Sequence, residues 1–292
     1  MITDSLTIAI SLDGSRRARI SRVGTLATTL CKRHQTSTLG RHLITRGLAA
    51  TAAFPVDFKG SLAMRKVAMQ WAGHGPGGDL MVEFNAEGDL RAYGKHLKTE
   101  EPIVVDENGR AKDLLLADGY LSVLFQPHQG EAYRGQIETP MIEIDVDLQR
   151  WLEQSAQVPS RLFTLLRVPD DEAAVQATGL LLQTLPGGDA KNLIDPAALE
   201  HLPPDAPDFA LFTALFDGDP YDVLEIRPLQ FKCGCSRERV EASLHLLDEQ
   251  DFIKMIETDQ GAQVDCQFCA EHFAFSEADL KEIFDDKRKA TS

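Results

Sequence analysis

Short β-rich runs separated by turns dominate the first half of the chain. Apolar residues that recur at about every second position predict half-buried strands. Such runs are found at 8–12, 67–71, 80–84, 90–93, 120–125 and 133–138. A further strand is predicted at 180–185, where the run is almost entirely apolar. Asp13-Gly14 and the loop at 85–89, which contains Gly88, supply hairpin turns, because glycine adopts positive φ without steric cost.

Two stretches have a helical period instead. Residues 26–53 are rich in Ala and Leu, with a break near Ser37, and residues 146–156 place apolar side chains at i, i+3 and i+4. A Pro-Gly-Gly sequence at 186–188 then ends the regular pattern. The fold class predicted for residues 1–188 is therefore α+β, an antiparallel-sheet-rich N-terminal domain with packing helices.

The segment 189–230 differs in character from what precedes it. Its prolines are Pro196, Pro203, Pro204, Pro207, Pro220 and Pro228. They separate short amphipathic pieces such as 209–216. Short helices interrupted by prolines make few long-range contacts, so this segment is predicted to be a metastable helical linker of low local stability.

The last part, 231–292, contains two close cysteine pairs, Cys233 with Cys235 and Cys266 with Cys269, separated by thirty residues. A C-x-C pair does not readily close into an unstrained ring, but its thiolates and those of a C-x-x-C turn fit the corners of a tetrahedron around Zn²⁺. The spacing predicts a small C-terminal zinc-binding domain with one Zn²⁺ per chain.

Helical signals lie between the cysteine pairs. Ser236 is predicted to cap a helix whose third residue is Arg239, and the apolar positions around 252–256 predict a second helix. Apolar cover for the site is expected from Phe268, Phe273 and Phe275. So small a unit has little core of its own, so its folding is expected to depend on zinc coordination, which contributes roughly 10–16 kcal/mol at neutral pH.

Composition and charge narrow the range of partners. The chain has 292 residues, 43% of them hydrophobic and 26% charged, with a formal charge of −15. So acidic a protein is not built to coat phosphate backbones or anionic lipid, so we expect no nucleic-acid or membrane partner. Cys31 is the single cysteine outside the pairs, and thiols concentrated at one site fit a reducing, cytoplasmic location.

Sequence signatures of catalysis are lacking. Gly73, Gly75 and Gly78 formally match a dinucleotide-binding pattern, but a strand rather than a helix is predicted to follow, so they indicate a turn. The eight histidines are scattered, and the chain has no nucleophile elbow, Walker sequence or His-Glu-x-x-His pair. The chain is therefore not expected to be an enzyme.

Three interpretations of the cysteines stay open at this point. The site is a redox sensor, because thiolates are also the groups that oxidants attack; or it is a structural zinc staple in a binding module; or Cys266 and Cys269 form a thiol-disulfide oxidoreductase site. Against nucleic-acid binding, residues 231–292 contain eight basic and fourteen acidic residues. Against the oxidoreductase, the surroundings are predicted to be helical rather than βαβ.

Several segments, in order along the chain, resemble the heat-shock protein 33 family, the 33 kDa chaperonins. The segments that carry the resemblance are 33–34 with 39–41, 133–135, 153–160, 179–187, 231–241 and 266–269. They extend over nearly the whole chain, so the resemblance is not confined to the cysteine motifs.

The resemblance implies a stress-response chaperone, an ATP-independent holdase that is inactive when reduced and zinc-bound through Cys233, Cys235, Cys266 and Cys269. By the same resemblance, oxidation forms the disulfides Cys233–Cys235 and Cys266–Cys269, releases zinc, unfolds the linker at 189–230 and promotes a homodimer. Its partners are unfolded client proteins. Cys31 is expected to be a small core residue.

Overall fold

In the computed structural model, the first strand, β1 (Ser5–Ser11), turns at Gly14 into β2 (Arg16–Arg22). Gly14 has a φ of +71°, and its amide donates to the carbonyl of Ser11, so the predicted Asp-Gly hairpin is confirmed. The structure describes residues 4–55, 64–75, 77–100, 104–105, 111–112, 117–141, 143–169, 173–189, 193–194, 198–199 and 201–291.

The remaining strands include every one predicted from the alternating runs. They are β3 (Met64–Ala72), β4 (Leu80–Asn85), β5 (Asp89–Gly94), β6 (Val104–Val105), β7 (Ala111–Lys112), β8 (Ala117–Pro127), β9 (Tyr133–Met141), β10 (Ser160–Arg167), β11 (Gln176–Thr184), β12 (Tyr221–Pro228), β13 (Gln230–Phe231), β14 (Gly261–Asp265) and β15 (His272–Ser276). The turn predicted before β4 is confirmed, because Gly78 has a φ of +61° and donates to the carbonyl of Gly75.

The helices alternate with these strands. They are α1 (Gly24–His34), α2 (Thr38–Ala53), α3 (Ile144–Gln154), α4 (Asp208–Leu215), α5 (Arg237–Leu244), α6 (Glu249–Glu257) and α7 (Glu277–Thr291). The break predicted near Ser37 is confirmed: Gln35 adopts a left-handed conformation at the end of α1, and the Ser37 hydroxyl caps α2 by accepting from the Gly40 amide at 3.2 Å. Among the helices of the described chain, none combines the length and apolar character needed to cross a membrane.

The chain divides into two compact units, Met1–Lys232 and Cys233–Ser292. Residues 189–230 lie within the first unit, and the predicted division of the chain at 188/189 and 230/231 stays a prediction. The first unit contains two large sheets, with strand orders β10-β11-β2-β1-β12 and β13-β5-β4-β3-β8-β9. Among the described strands, only β13 with β5 pairs in parallel. The predicted α+β class, rich in antiparallel sheet, is confirmed.

Helix α2 organises the main core of the first unit. Nearly every residue of α2 is buried, and it contacts β2, β10 and β11 of one sheet and β4 and β5 of the other. Gly47 permits this approach, because a Cβ there would lie 2.8 Å from the side chain of Leu80. The same core contains Phe54, Trp71 and Trp151, so the predicted helices pack against the sheets.

Residues 221–228, which the sequence analysis grouped with a helical linker, form strand β12 instead. This strand pairs antiparallel with β1, from Ser5 opposite Pro228 to Ser11 opposite Tyr221, with a register shift between Ile8 and Ala9. The physical reason is that β1 has an open edge, whose backbone groups are satisfied by a second strand. Helix α4 is the α-helix that the structure describes in this segment, and β12 completes the five-stranded sheet.

The second unit is built around a small core of its own. Its buried apolar side chains are Leu244, Phe252, Ile256, Phe275, Leu280 and Ile283. Helices α5 and α6 confirm the two predicted between the cysteine pairs, and the hydroxyl of Ser236 caps α5 by accepting from the Arg239 amide at 3.3 Å. The β14–β15 hairpin and α7 complete the unit.

Candidate metal centre

The first cysteine pair lies in the turn that precedes α5. The Arg239 guanidinium donates to the carbonyl oxygen of Gly234, between Cys233 and Cys235. A Cβ at Gly234 would lie 2.6 Å from the nearest guanidinium nitrogen of Arg239. A side chain at position 234 would therefore displace this guanidinium from the turn.

The second pair lies in a knuckle that joins β14 to β15. The Cys266 amide donates to the Glu271 carbonyl at 2.9 Å, and the Ala270 amide donates back to the Cys266 carbonyl at 2.8 Å. Ala270 has a φ of +55°, a conformation that turns the chain sharply after Cys269. The expectation of helical surroundings is wrong here, because short strands on both sides place the C-x-x-C turn at a hairpin tip.

The four cysteine side chains meet at one point. Their Sγ atoms all lie within 4.8 Å of one another, with Cys233 3.6 Å from Cys266 and Cys235 3.3 Å from Cys269. All five cysteines of the chain are thiols. Four sulfurs at the corners of a tetrahedron with Zn–S bonds of ~2.3 Å are about 3.8 Å apart, so the observed spacing fits a four-coordinate zinc ion.

The thiol pKa values differ within the cluster. Burial opposes ionisation of Cys233, but hydrogen bonds from the Cys235 amide and from the neighbouring thiols lower the pKa of Cys233 below its ordinary value. Burial raises the pKa of Cys235 to about 11 and also raises that of Cys269, with further raising contributions from neighbouring thiols. Four thiolates at this separation therefore require a cation, and binding one releases protons.

Arg237 ties the elements around this cluster together. Its guanidinium pairs with Glu241 at 3.3 Å and Asp279 at 3.1 Å, and it lies 4.2 Å from the ring centroid of Phe275. It also donates to the carbonyl of Ala274 at 2.7 Å. One arginine thus joins α5, β15 and α7. The sequence analysis missed this role, and the only signal for it was the position of Arg237 four residues before Glu241.

The aromatic residues expected to cover the site differ in their depth. Phe275 is buried in the core of the second unit, whereas Phe273 is half-buried against that core and Phe268 is half-buried next to Cys269. Cys31 lies in α1, buried in the core of the first unit, where burial raises the pKa of its thiol. In the part of the chain that the structure describes, Cys31 is not a member of the four-thiol cluster.

Comparison with known proteins places this fold and cluster in a family. The model of the family described as Hsp33 protein matches residues 4–276. The chain belongs to the Hsp33 family. The 33 kDa chaperonin of Citrifermentans bemidjiense is 32% identical over 297 aligned residues, which cover 97% of each protein. The 33 kDa chaperonin of Geobacter sp. strain M21 is 31% identical over the full length of both.

A solved structure agrees with this assignment. The crystal structure of a 33 kDa chaperonin, a heat shock protein 33 homologue, from Thermotoga maritima has a TM-score of 0.85 to this chain. The match covers 99% of this chain and 100% of that one, at 22% sequence identity, so it shows the shared fold. The names of the Hsp33 relatives describe chaperonins rather than enzymes and support a chaperone.

Proposed function

We propose that the chain is a redox-regulated, ATP-independent holdase of the cytoplasm, which binds unfolding proteins and prevents their aggregation under oxidative stress. In the reduced protein, Cys233, Cys235, Cys266 and Cys269 hold one Zn²⁺ ion, and chaperone activity is off. The observation that carries the proposal is the meeting of these four thiols within 4.8 Å in a member of the Hsp33 family.

Zinc loss has a folding consequence because the second unit is small. Its core contains six buried apolar side chains, together with partly buried ones such as Val240 and Phe273. Such a core contributes little net stability by itself, whereas four zinc–thiolate bonds contribute roughly 10 kcal/mol or more at neutral pH. Removing the ion therefore unfolds the unit.

Oxidation supplies the trigger. Each disulfide forms from two thiols with the loss of two protons and two electrons, which reduce one hydrogen peroxide molecule to two water molecules. The proposed pairs are Cys233–Cys235 and Cys266–Cys269. In the folded cluster, sulfur separations of 3.6 and 3.3 Å join Cys233 to Cys266 and Cys235 to Cys269, which are pairs between the two motifs, as expected for ligands that share one metal. Once the unit loosens, neighbours in sequence stay close, whereas the intervening loop separates the two motifs.

The covalent connection to the first unit transmits this change. Strand β13 ends at Phe231, two residues before Cys233, and it is preceded by β12 and α4. The C-terminal end of this segment is then held only by its short pairing with β5 and by β12 on β1. In the proposed mechanism, unfolding of the second unit weakens this hold, and α4 leaves the sheet that it covers. Apolar residues that α4 now covers, such as Ile20 and Leu180, then hold unfolded clients and promote a homodimer.

The decisive experiment measures zinc and aggregation together. Peroxide at raised temperature is expected to release about one zinc per chain, the stoichiometry of a single four-ligand site. It should also switch on suppression of aggregation of an unrelated denatured protein. Zinc release without suppression would leave a zinc-stapled binding module, whereas turnover of disulfides in a substrate would indicate an oxidoreductase.

A further inference from the structure

Helix α4 is held at both ends by arginines of a single strand. Asp208, the first residue of α4, pairs with Arg22 of β2, with 2.6 Å between a guanidinium nitrogen and Oδ1. Asp219, four residues after the helix ends, pairs with Arg16 at the other end of the same strand. The helix therefore runs antiparallel to β2, with one ion pair at each end.

The surface between these two arginines is apolar. Ala18 and Ile20 lie between Arg16 and Arg22 on the same face of β2, because side chains two residues apart share a face. The other residues of this face are Ala9, Phe163, Leu165, Leu180 and Leu182, and those that α4 and its C-cap place on it are Leu211, Phe212, Leu215 and Phe216. We call the face with its two bounding arginines the arginine-bounded face.

The spacing of the charges matches the occupant. Arg22 lies six strand positions after Arg16, a distance of about 20 Å. Asp219 lies eleven positions after Asp208, a span of about 16 Å if the whole stretch were helical. The arginine and aspartate side chains are long enough to bridge the difference between these two distances. An apolar segment with an acidic residue at each end thus lies on an apolar surface with a basic residue at each end.

The buried guanidinium of Arg22 needs a carboxylate partner such as that of Asp208. Its side chain is buried, and it donates to the carbonyls of Pro204 at 2.8 Å and Ala206 as well as to Asp208. The Thr7 hydroxyl donates to the second carboxylate oxygen of Asp208 at 2.9 Å. When the segment leaves, Arg22 loses all three of these oxygen partners and water can solvate it. An occupant that covers the face again without a carboxylate buries this cation without a counter-ion, which is costly. An occupant that brings a carboxylate restores the pair.

We propose that the arginine-bounded face is a client-binding surface selective for apolar segments with a carboxylate near each end. Residues 208–219 occupy it as an intramolecular ligand in the reduced protein. This rests on the proposed function, because α4 must leave before a client binds. A client segment without acids satisfies the apolar middle but not the arginines, so it is expected to bind at least tenfold more weakly.

The test uses two peptides and leaves the protein unchanged. One peptide has the sequence of residues 206–220, and the other carries Asp208→Asn and Asp219→Asn. Their binding to the full chain, oxidised or reduced, is measured by fluorescence anisotropy. We expect the first peptide to bind the oxidised chain, at least tenfold more tightly than the second and less tightly as salt is added, and neither to bind the reduced chain. Equal affinity of the two peptides for the oxidised chain overturns the proposal.

A second arm weakens the intramolecular ligand. The full chain with Asp208→Asn and Asp219→Asn is expected to bind the first peptide while reduced and zinc-loaded. The matched control, Glu225→Gln, removes a half-buried ion pair with Arg227 in β12 and should stay closed. If the doubly substituted chain stays closed as well, the two ion pairs do not hold the occupant and the proposal fails.

The outcome also separates this inference from the proposed function. If the oxidised wild-type chain suppresses aggregation but binds neither peptide, the arginine-bounded face is not a client site and the holdase proposal stands. If the oxidised chain does not suppress aggregation, the proposed function itself fails.

Discussion

Gly88 and Pro228 approach each other so closely that a Cβ on the glycine would overlap the proline carbonyl oxygen. Gly88 ends the β4–β5 turn with a φ of +91°, and its own carbonyl accepts from the Gln230 amide at 3.0 Å. The β4–β5 turn of one sheet thus packs against the backbone that follows β12 of the other sheet. Only glycine at position 88 leaves room for this contact.

Gly88→Ala is expected to loosen the segment that follows β12. Positive φ alone costs a non-glycine residue about 1–3 kcal/mol, and displacement of Pro228 adds to this. Gly187→Ala is the matched control, since Gly187 has a φ of +93° and a Cβ there would meet nothing within 4 Å. Urea unfolding should show a larger loss for Gly88→Ala, accompanied by faster tryptic cleavage after Lys232, which follows β13. Equal losses in the two variants would show that the contact with Pro228 contributes nothing.

Asp147 is expected to make stability depend on pH. Its side chain is buried in the first turn of α3, and neither carboxylate oxygen accepts a hydrogen bond from the described residues. Burial raises its pKa from 3.8 to about 7, against the opposing charge of Arg150 and with a further raising contribution from Asp145. Because the folded-state pKa lies above the unfolded one, the associated stability is full below about pH 4 and is lost as the pH rises through 7.

Asp147→Asn should therefore raise the free energy of unfolding at pH 8. The difference from wild type should disappear towards pH 5. The pKa change corresponds to roughly 4 kcal/mol, and a buried amide left without partners offsets part of it, which leaves a gain of about 1–3 kcal/mol. Urea unfolding at both pH values checks this, with Glu153→Gln on the exposed side of α3 as the control. A pH-independent difference would contradict the buried, ionising carboxylate.

Cys266→Ser should abolish zinc binding by the reduced protein. Three thiolates and a hydroxyl bind zinc far more weakly than four thiolates, and the second unit unfolds without the ion. Elemental analysis should find about one zinc per wild-type chain and almost none in the variant, together with rapid proteolysis of 233–292. Cys31→Ser is the control and should keep its zinc. A zinc-loaded Cys266→Ser protein would show that the ligand set is different.

Arg237→Ala should weaken zinc binding without touching a ligand. The side chain joins three elements of the second unit, and losing its ion pairs and its contact with Phe275 is expected to cost about 1–2 kcal/mol. Because zinc binding and folding of the unit are coupled, the zinc affinity should fall by about five- to thirty-fold. Competition with a chelating dye measures this, and Lys281→Ala, which removes an exposed pair with Glu277, should have little effect.

Local signals accounted for most of the fold. The hairpins at Gly14 and at 85–89 and the interruption at Ser37 follow from turn and cap residues close in sequence, and all three are present. Strand β12 was not predictable in this way, because its partner β1 lies more than 200 residues earlier. Prolines on both sides of a short run indicated helices and loops, whereas the open edge of β1 made that run a strand.

The candidate site was likewise predictable only where its residues are close in sequence. Spacing alone selected the four cysteines, since zinc geometry constrains residues one or two positions apart. Spacing did not reveal the role of Arg237 or the ion pair of Arg22 with Asp208, 186 residues apart. Such contacts depend on which elements the folded chain brings together, and no short-range pattern encodes them.

Strand β12 also covers the backbone of β1. Between Ser5 and Ser11, the side of β1 away from β2 pairs with β12 alone. In the proposed active state, from which the segment has departed, those amide and carbonyl groups form an open sheet edge beside the arginine-bounded face. Pairing with such an edge uses the main chain, which every unfolded protein carries regardless of its sequence. The proposed release of β12 would therefore place a sequence-independent binding edge next to a face that selects clients by their side chains.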